Sequence, residues 1–175
     1  IILIFISACA TREEFNRSFV ERYVRDGLYT NELKGFSFEW PEDQFWKFRN
    51  YPEFDLSFDH IDGRSQFVII GVNGLIRRGF PEGFEEWLMD RLGARDVTRI
   101  SLEELDSEGG EKFRIVADSE FNLKFGESFG VQRKVDMLLM KKDNHWVALV
   151  CICPKENYTD RIDQFSQLQS RLEML

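Results

Sequence analysis

Residues 146–153, Trp-Val-Ala-Leu-Val-Cys-Ile-Cys, set the tightest limit on what this chain can fold into. Every side chain in the run is apolar, so a strand here must be covered on both faces. Pro154 ends it, because proline cannot donate to a strand ladder. Upstream, Val131 to Lys142 reads as the other arm of a hairpin, with Lys142-Asp143-Asn144 at its turn. Val131, Val135, Met137 and Leu139 share one face of that arm and point to the core. A strand buried from above and below needs further elements on both sides, so the chain must build a layered domain.

Other segments supply those layers. Thr11 and Glu14 make a capping-box pattern, and Phe15, Phe19, Tyr23 and Val24 recur at helical spacing. They predict an amphipathic helix over 12–25, stopped by Gly27. Phe36, Phe38 and Trp40 alternate with polar residues before Pro41, which is a strand pattern. Leu56 and Phe58 open another strand, Asp62-Gly63 is a hairpin turn signal, and Phe67 to Val72 is the partner. Beyond Pro81, Phe84, Trp87, Leu88 and Leu92 mark one face of a helix over 82–92 closed by Gly93. Val97 to Ile100 and Phe113 to Ala117 predict two short strands. The acidic stretch from Glu103 to Glu111 between them reads as a solvated turn, and 118–129 as loop. Tyr158, Ile162, Phe165, Leu168 and Leu172 form the stripe of a last helix over 158–173, capped by Asn157 or Thr159. This order of elements predicts an α+β fold, an antiparallel sheet flanked by helices.

Composition narrows function more than it names it. With 43% hydrophobic residues, 14% aromatic and 17 phenylalanines among them, the 175-residue chain can bury a sizeable core. A net charge of −8 argues against nucleic acid as a partner, since that binding needs clustered Lys and Arg. It argues equally against adhesion to anionic lipid by charge alone.

Motifs for catalysis are sparse. Cys151 and Cys153 stand two apart in a strand, so both point to one face. A bridge across that spacing is strained, and two buried free thiols are expected. His145 precedes Cys151 by six residues, roughly 20 Å of extended strand, too far for a Cys–His pair within it. A lone C-x-C lacks the second cluster of a zinc site. Glu42-Asp43, Asp59 with Asp62, and Glu103-Glu104 lack calcium-loop spacing. Gly71-Val72-Asn73-Gly74 is not followed by the Lys-Ser/Thr of a phosphate loop. No catalytic residue, metal or cofactor is therefore expected.

One segment exceeds what a core requires. Trp40, Phe45, Trp46, Phe48, Arg49 and Tyr51 crowd together around Pro41 and Pro52, with Phe54 just beyond. Aromatic rings and arginine are the residue types of interface hot spots, so these six predict a partner-binding edge. The competing reading is that the rings plug the open end of the sheet.

Ile1 to Ala8 is an uncharged run of 8 residues, far short of the roughly 20 that a bilayer-crossing helix needs. Its end, Ile6-Ser7-Ala8-Cys9, is aliphatic, small, small, cysteine. This resembles the close of a bacterial lipoprotein signal peptide, in which the cysteine is acylated and the leader removed. The resemblance implies lipidation at Cys9 and a remnant of signal peptide at 1–8. Residues 9–27 would then be anchor cysteine and amphipathic helix, and 28–175 a single domain. A first β-strand, or the tail of a longer membrane helix, is the competing reading of the run. Ala10 in place of aspartate after the cysteine implies the outer membrane, facing the periplasm, where the host envelope has two membranes.

A second resemblance rests on Gly35-Phe36-Ser37-Phe38-Glu39-Trp40-Pro41 and on the apolar strand 146–153 followed directly by the helix from Tyr158. These are similar to the domain of PsbP, the extrinsic photosystem II protein, and its bacterial lipoprotein relatives. The likeness implies an α/β/α sandwich and a non-catalytic accessory subunit or assembly factor of a membrane protein complex, held to the lipid bilayer through acylated Cys9. The alternative is a lipoprotein that binds a small ligand in an apolar pocket lined by the Phe-rich core.

Overall fold

The computed structural model describes residues 12–73, 79–121 and 132–175. Thr11 of the capping box and Cys9 of the lipobox lie outside the described residues. Helix α1 (Arg12–Tyr23) leads directly into β1 (Val24–Arg25), β2 (Leu28–Asn31) and β3 (Phe36–Glu39). Asp26 and Gly27 both adopt positive φ, 51° and 76°, between the paired Arg25 and Leu28. Two consecutive left-handed residues are what a two-residue hairpin turn demands, and this is why the helix stops short of Gly27. Then come β4 (Trp46–Phe48), β5 (Leu56–His60), β6 (Gln66–Asn73), α2 (Glu82–Leu92), β7 (Ala94–Glu104) and β8 (Glu111–Phe121). β9 (Gln132–Lys142), β10 (His145–Pro154), α3 (Tyr158–Ser170) and β11 (Leu172–Met174) complete the described chain.

The strands form two antiparallel sheets, one ordered β4-β5-β6-β10-β9-β8-β7 and a smaller one ordered β1-β2-β3-β11. β10 sits inside the larger sheet between β6 and β9, as its two apolar faces require. Trp146, Ala148, Val150 and Ile152 enter the core beneath α2, where Phe84, Leu88 and Leu92 meet them. Val147, Leu149, Cys151 and Cys153 enter the opposite core, filled by Phe36, Phe38, Phe58, Phe67 and Phe165. The architecture is thus α+β, with α2 on one face of the large sheet and the small sheet, α1 and α3 packed against the other core.

Gly71 shows how closely those layers approach. A Cβ at this position would lie 2.8 Å from the Phe36 ring and 2.9 Å from Lys34 Cβ. The Gly71 N–H donates to Asp55 Oδ2 at 2.7 Å, and Asp55 Oδ1 pairs with Lys34 Nζ at 2.6 Å. Glycine here lets β3 lie directly on β6 while Asp55 ties the two sheets together.

Three elements differ from the sequence reading. β7 and β8 are 11 residues each and not short, so 118–121 is strand and the intervening turn shrinks to 105–110. β7 carries polar and apolar residues on both sides and slips register at two points, so no clean alternation marks it. α3 ends at Ser170, and Leu172–Met174 pairs with Phe36–Phe38 as β11. Leu172 continues the i, i+4 stripe from Leu168, which makes a three-residue strand look like one more helical turn. Among the described residues, no helix is long and apolar enough to cross a membrane.

Candidate functional site

α1 lies on the surface of the core beside β4 and makes few inward contacts. Its inward residue is Phe19, which stacks on Phe48 of β4 with centroids 4.9 Å apart and lies 6.2 Å from the Tyr29 ring. Asn16 fixes the helix from the same side: its Nδ2 donates to the Phe48 carbonyl at 3.1 Å, and its Oδ1 accepts the Asn50 N–H at 3.3 Å. Phe15, one turn before Phe19, points outward and is 57% exposed. Tyr23, one turn after, is exposed too, with the Arg22 guanidinium 6.0 Å from its ring. Between these rings, Tyr29 and Asn50 lies an open groove of about 320 Å³. Burial pushes the Tyr29 phenol above its ordinary pKa, against the opposing hydrogen bond from Asn31, so the groove floor stays uncharged. An apolar groove walled by exposed rings and floored by amide and phenol groups is chemically a binding surface for an apolar or aromatic side chain.

The six residues of the aromatic segment divide between surface and interior. Phe48 lies beneath Phe19 and touches Trp40 at 5.2 Å; both Phe48 and Trp40 are half-buried. Trp40 in turn meets Phe58 edge-on at 4.9 Å, and Phe58 stacks on Phe67 at 4.4 Å. Trp46 is only 6% exposed and stands edge-on to Phe67. Arg49 donates from Nε to Asp59 Oδ2 at 3.2 Å, and Tyr51 is half-buried beside it in sequence. Phe45 is 42% exposed. An unbroken set of ring contacts therefore runs from Phe19 at the groove, through the core, to Trp46 and the His60 side chain.

His60 closes that end. Phe45 stacks over its imidazole at 6.1 Å and Trp46 meets it edge-on at 4.8 Å. Nδ1 accepts the Asp62 N–H at 3.1 Å and lies 3.2 Å from Asp62 Oδ2. Burial lowers the His60 pKa, and the Asp62 carboxylate only partly offsets it, so the ring is neutral at pH 7. Burial also opposes ionisation of Asp62. Hydrogen bonds from the Arg64 and Ser65 N–H groups, the Ser65 hydroxyl and Arg161 outweigh that and hold the carboxyl well below its usual range. This is turn chemistry that fixes the β5–β6 hairpin against α3.

The thiols do not support nucleophilic chemistry. Cys151 and Cys153 are free and buried. Burial pushes Cys153 up to about 12 and Cys151 well above the ordinary thiol range, so neither forms a thiolate at neutral pH. The buried carboxylate next to them, Asp136, is occupied: it accepts from Arg114 Nε at 3.0 Å and Nη2 at 2.6 Å, from Tyr158 at 2.8 Å and from Gln169 at 2.8 Å. Among the described residues, no three of His, Cys, Asp and Glu are grouped to hold a metal ion. By their spacing, Phe15, Phe19 and Tyr23 form one apolar stripe. The structure turns Phe15 and Tyr23 outward and leaves Phe19 as the ring that meets β4.

No protein-family model matches the chain, and no curated protein matches its sequence. Solved structures do resemble it. The cyanobacterial PsbP protein CyanoP of Synechocystis sp. PCC 6803 matches with a TM-score of 0.58 at 12% identity, over 85% of this chain and 91% of that one. The fold is PsbP-like. The same PsbP-like arrangement is shared by the Ran-binding protein Mog1p of Saccharomyces cerevisiae, with a TM-score of 0.53 at 10% identity over 84% of this chain and 94% of Mog1p. At such identities the likeness is one of fold, and the groove residues have to be argued from this chain itself.

Proposed function

We propose that this chain is a lipid-anchored, extracytoplasmic, non-catalytic accessory subunit or assembly factor of a membrane protein complex. Its docking face would be the aromatic groove at α1. The observation that carries the reading is the position of that groove. α1 begins at Arg12, three residues after Cys9, so at most about 11 Å of extended chain separates an acyl anchor from the helix. Phe15, in the first turn, would then sit at the bilayer surface, where a membrane partner presents its extracytoplasmic loops. Acyl chains, each buried methylene being worth about 0.8 kcal/mol, supply the attachment that an acidic surface cannot. Mog1p is described as Ran-binding, which is a protein-binding use of a similar fold. The small-ligand alternative draws less support, because the large rings it needs as pocket lining are packed against one another, as Phe58 is on Phe67 and Phe38 is on both.

Intact mass spectrometry of the protein from its native membrane tests the anchor. The expected species starts at Cys9 with added acyl mass, and a Cys9→Ala variant leaves the membrane fraction. A chain that retains Ile1 without acyl mass would overturn the lipoprotein reading.

A further inference from the structure

The far edge of the large sheet has a different character from the α1 face. β7 is its last strand, paired with β8 on one side and with no strand on the other among the described residues. Ten of its 11 residues are exposed. Ile100 is 56% exposed, and Val97 and Leu102 are exposed beside it. An open edge of this kind presents a row of backbone donors and acceptors to any extended chain of fitting chemistry.

The charge beside the edge selects that chemistry. An open groove of about 580 Å³ runs between α2 and β7. Its walls carry four carboxylates, Glu82, Glu85, Glu86 and Asp90, against one guanidinium, Arg99. Arg99 is already engaged, its Nη2 and Nε donating to the buried Glu85. Glu82, Glu86 and Asp90 recur at i, i+4 and i+8, so they form one ridge along α2. Glu103 and Glu104 extend the negative charge along β7 itself.

We infer that the β7 edge, with the α2 carboxylate ridge, is a docking site for a short, extended, basic segment of a partner protein, added as a further strand. A segment alternating Lys or Arg with β-branched residues would turn its cations to the α2 side, toward the carboxylate ridge, with their aliphatic stems over Val97 and Leu102, and its β-branched residues to the other side. A second copy of this chain is the poorer occupant. It brings its own net charge of −8 and its own ridge, and the register shifts between Arg95 and Thr98 and between Arg99 and Ser101 break up long strand-to-strand pairing. The stretch Ser101–Glu104 pairs with β8 in unbroken register and leaves a straight edge long enough for a short segment.

The test uses the intact chain and a labelled, end-capped heptapeptide of alternating Lys and Val. Fluorescence anisotropy at low salt should give saturable binding that weakens as salt is raised. Amide hydrogen exchange of residues 98–104 should slow in the complex. Glu82→Gln with Asp90→Asn should weaken binding about fivefold, as expected for two exposed charge pairs. The same peptide N-methylated at alternate residues keeps its charge but cannot complete a ladder, and should bind at least about tenfold more weakly. Equal binding of the N-methylated peptide, absence of protection in 98–104, or no binding at all would each overturn strand addition. So would a dimer in sedimentation that Leu102→Lys disperses, since the edge would then belong to a second copy.

Discussion

Phe15 and Phe19 are one helical turn apart and have opposite duties. Phe19 is held between Phe48, Tyr23 and Tyr29, so truncating it removes packing. Phe19→Ala should cost about 2 kcal/mol in urea unfolding, below the range for fully buried phenylalanine because the ring is half-exposed. Phe15→Ala should change stability by less than about 0.5 kcal/mol, yet weaken partner binding by at least about tenfold if the groove is the docking face. The split between the two measurements separates a structural aromatic from a binding one. His60 offers a second residue-level test. Its folded pKa is lowered by burial, so the folded state prefers the neutral ring and binds fewer protons than the unfolded chain. That contribution is complete above the unfolded pKa of about 6.5 and is lost as pH falls below it. Wild-type unfolding free energy should therefore drop between pH 7 and pH 5 by more than that of His60→Gln. Equal drops would show that the imidazole is not the group responsible.

At the scale of elements, one buried carboxylate ties α3 to the large sheet, alongside Phe165 and Leu168 in the core and Arg161 on Asp62. Asp136 of β9 receives Arg114 from β8 and Tyr158 and Gln169 from α3. Asp136→Asn leaves donors facing donors, and should destabilise the fold by about 3 kcal/mol with an unchanged denaturant slope. A change in slope would mean that α3 detaches as a separate unit. The same elements explain what could be read from sequence. β10 was legible because eight apolar residues bounded by His145 and Pro154 admit one environment. The β5–β6 and β9–β10 hairpins were legible from their turn residues. β7 was legible only as a short strand at 97–100; its full 94–104 extent was not, because its side chains are mixed on both faces and its bulges break the period of two. β11 was not, because three residues carry too little pattern to distinguish a strand from the end of α3. Within the site, the density of rings over 40–51 was legible. Which rings face out was not, because that depends on where α1 lies across β4, a contact made through Asn16 and Asn50 with no periodicity to announce it.

At the scale of the molecule, the two proposed surfaces are chemically distinct. The α1 groove is aromatic and lies on the first described helix, whereas the β7 edge is acidic and belongs to the far margin of the larger sheet. Two unlike faces are what the proposed accessory role would use to bring components together. The direct measurement is photo-crosslinking in the native membrane from a benzoylphenylalanine placed at position 15, read by mass spectrometry. A discrete membrane protein captured at position 15, and lost when the same probe is placed at the outward Glu53 instead, is the result expected of an accessory subunit docked through α1. Crosslinks to lipid alone, or the same products from both positions, would contradict it.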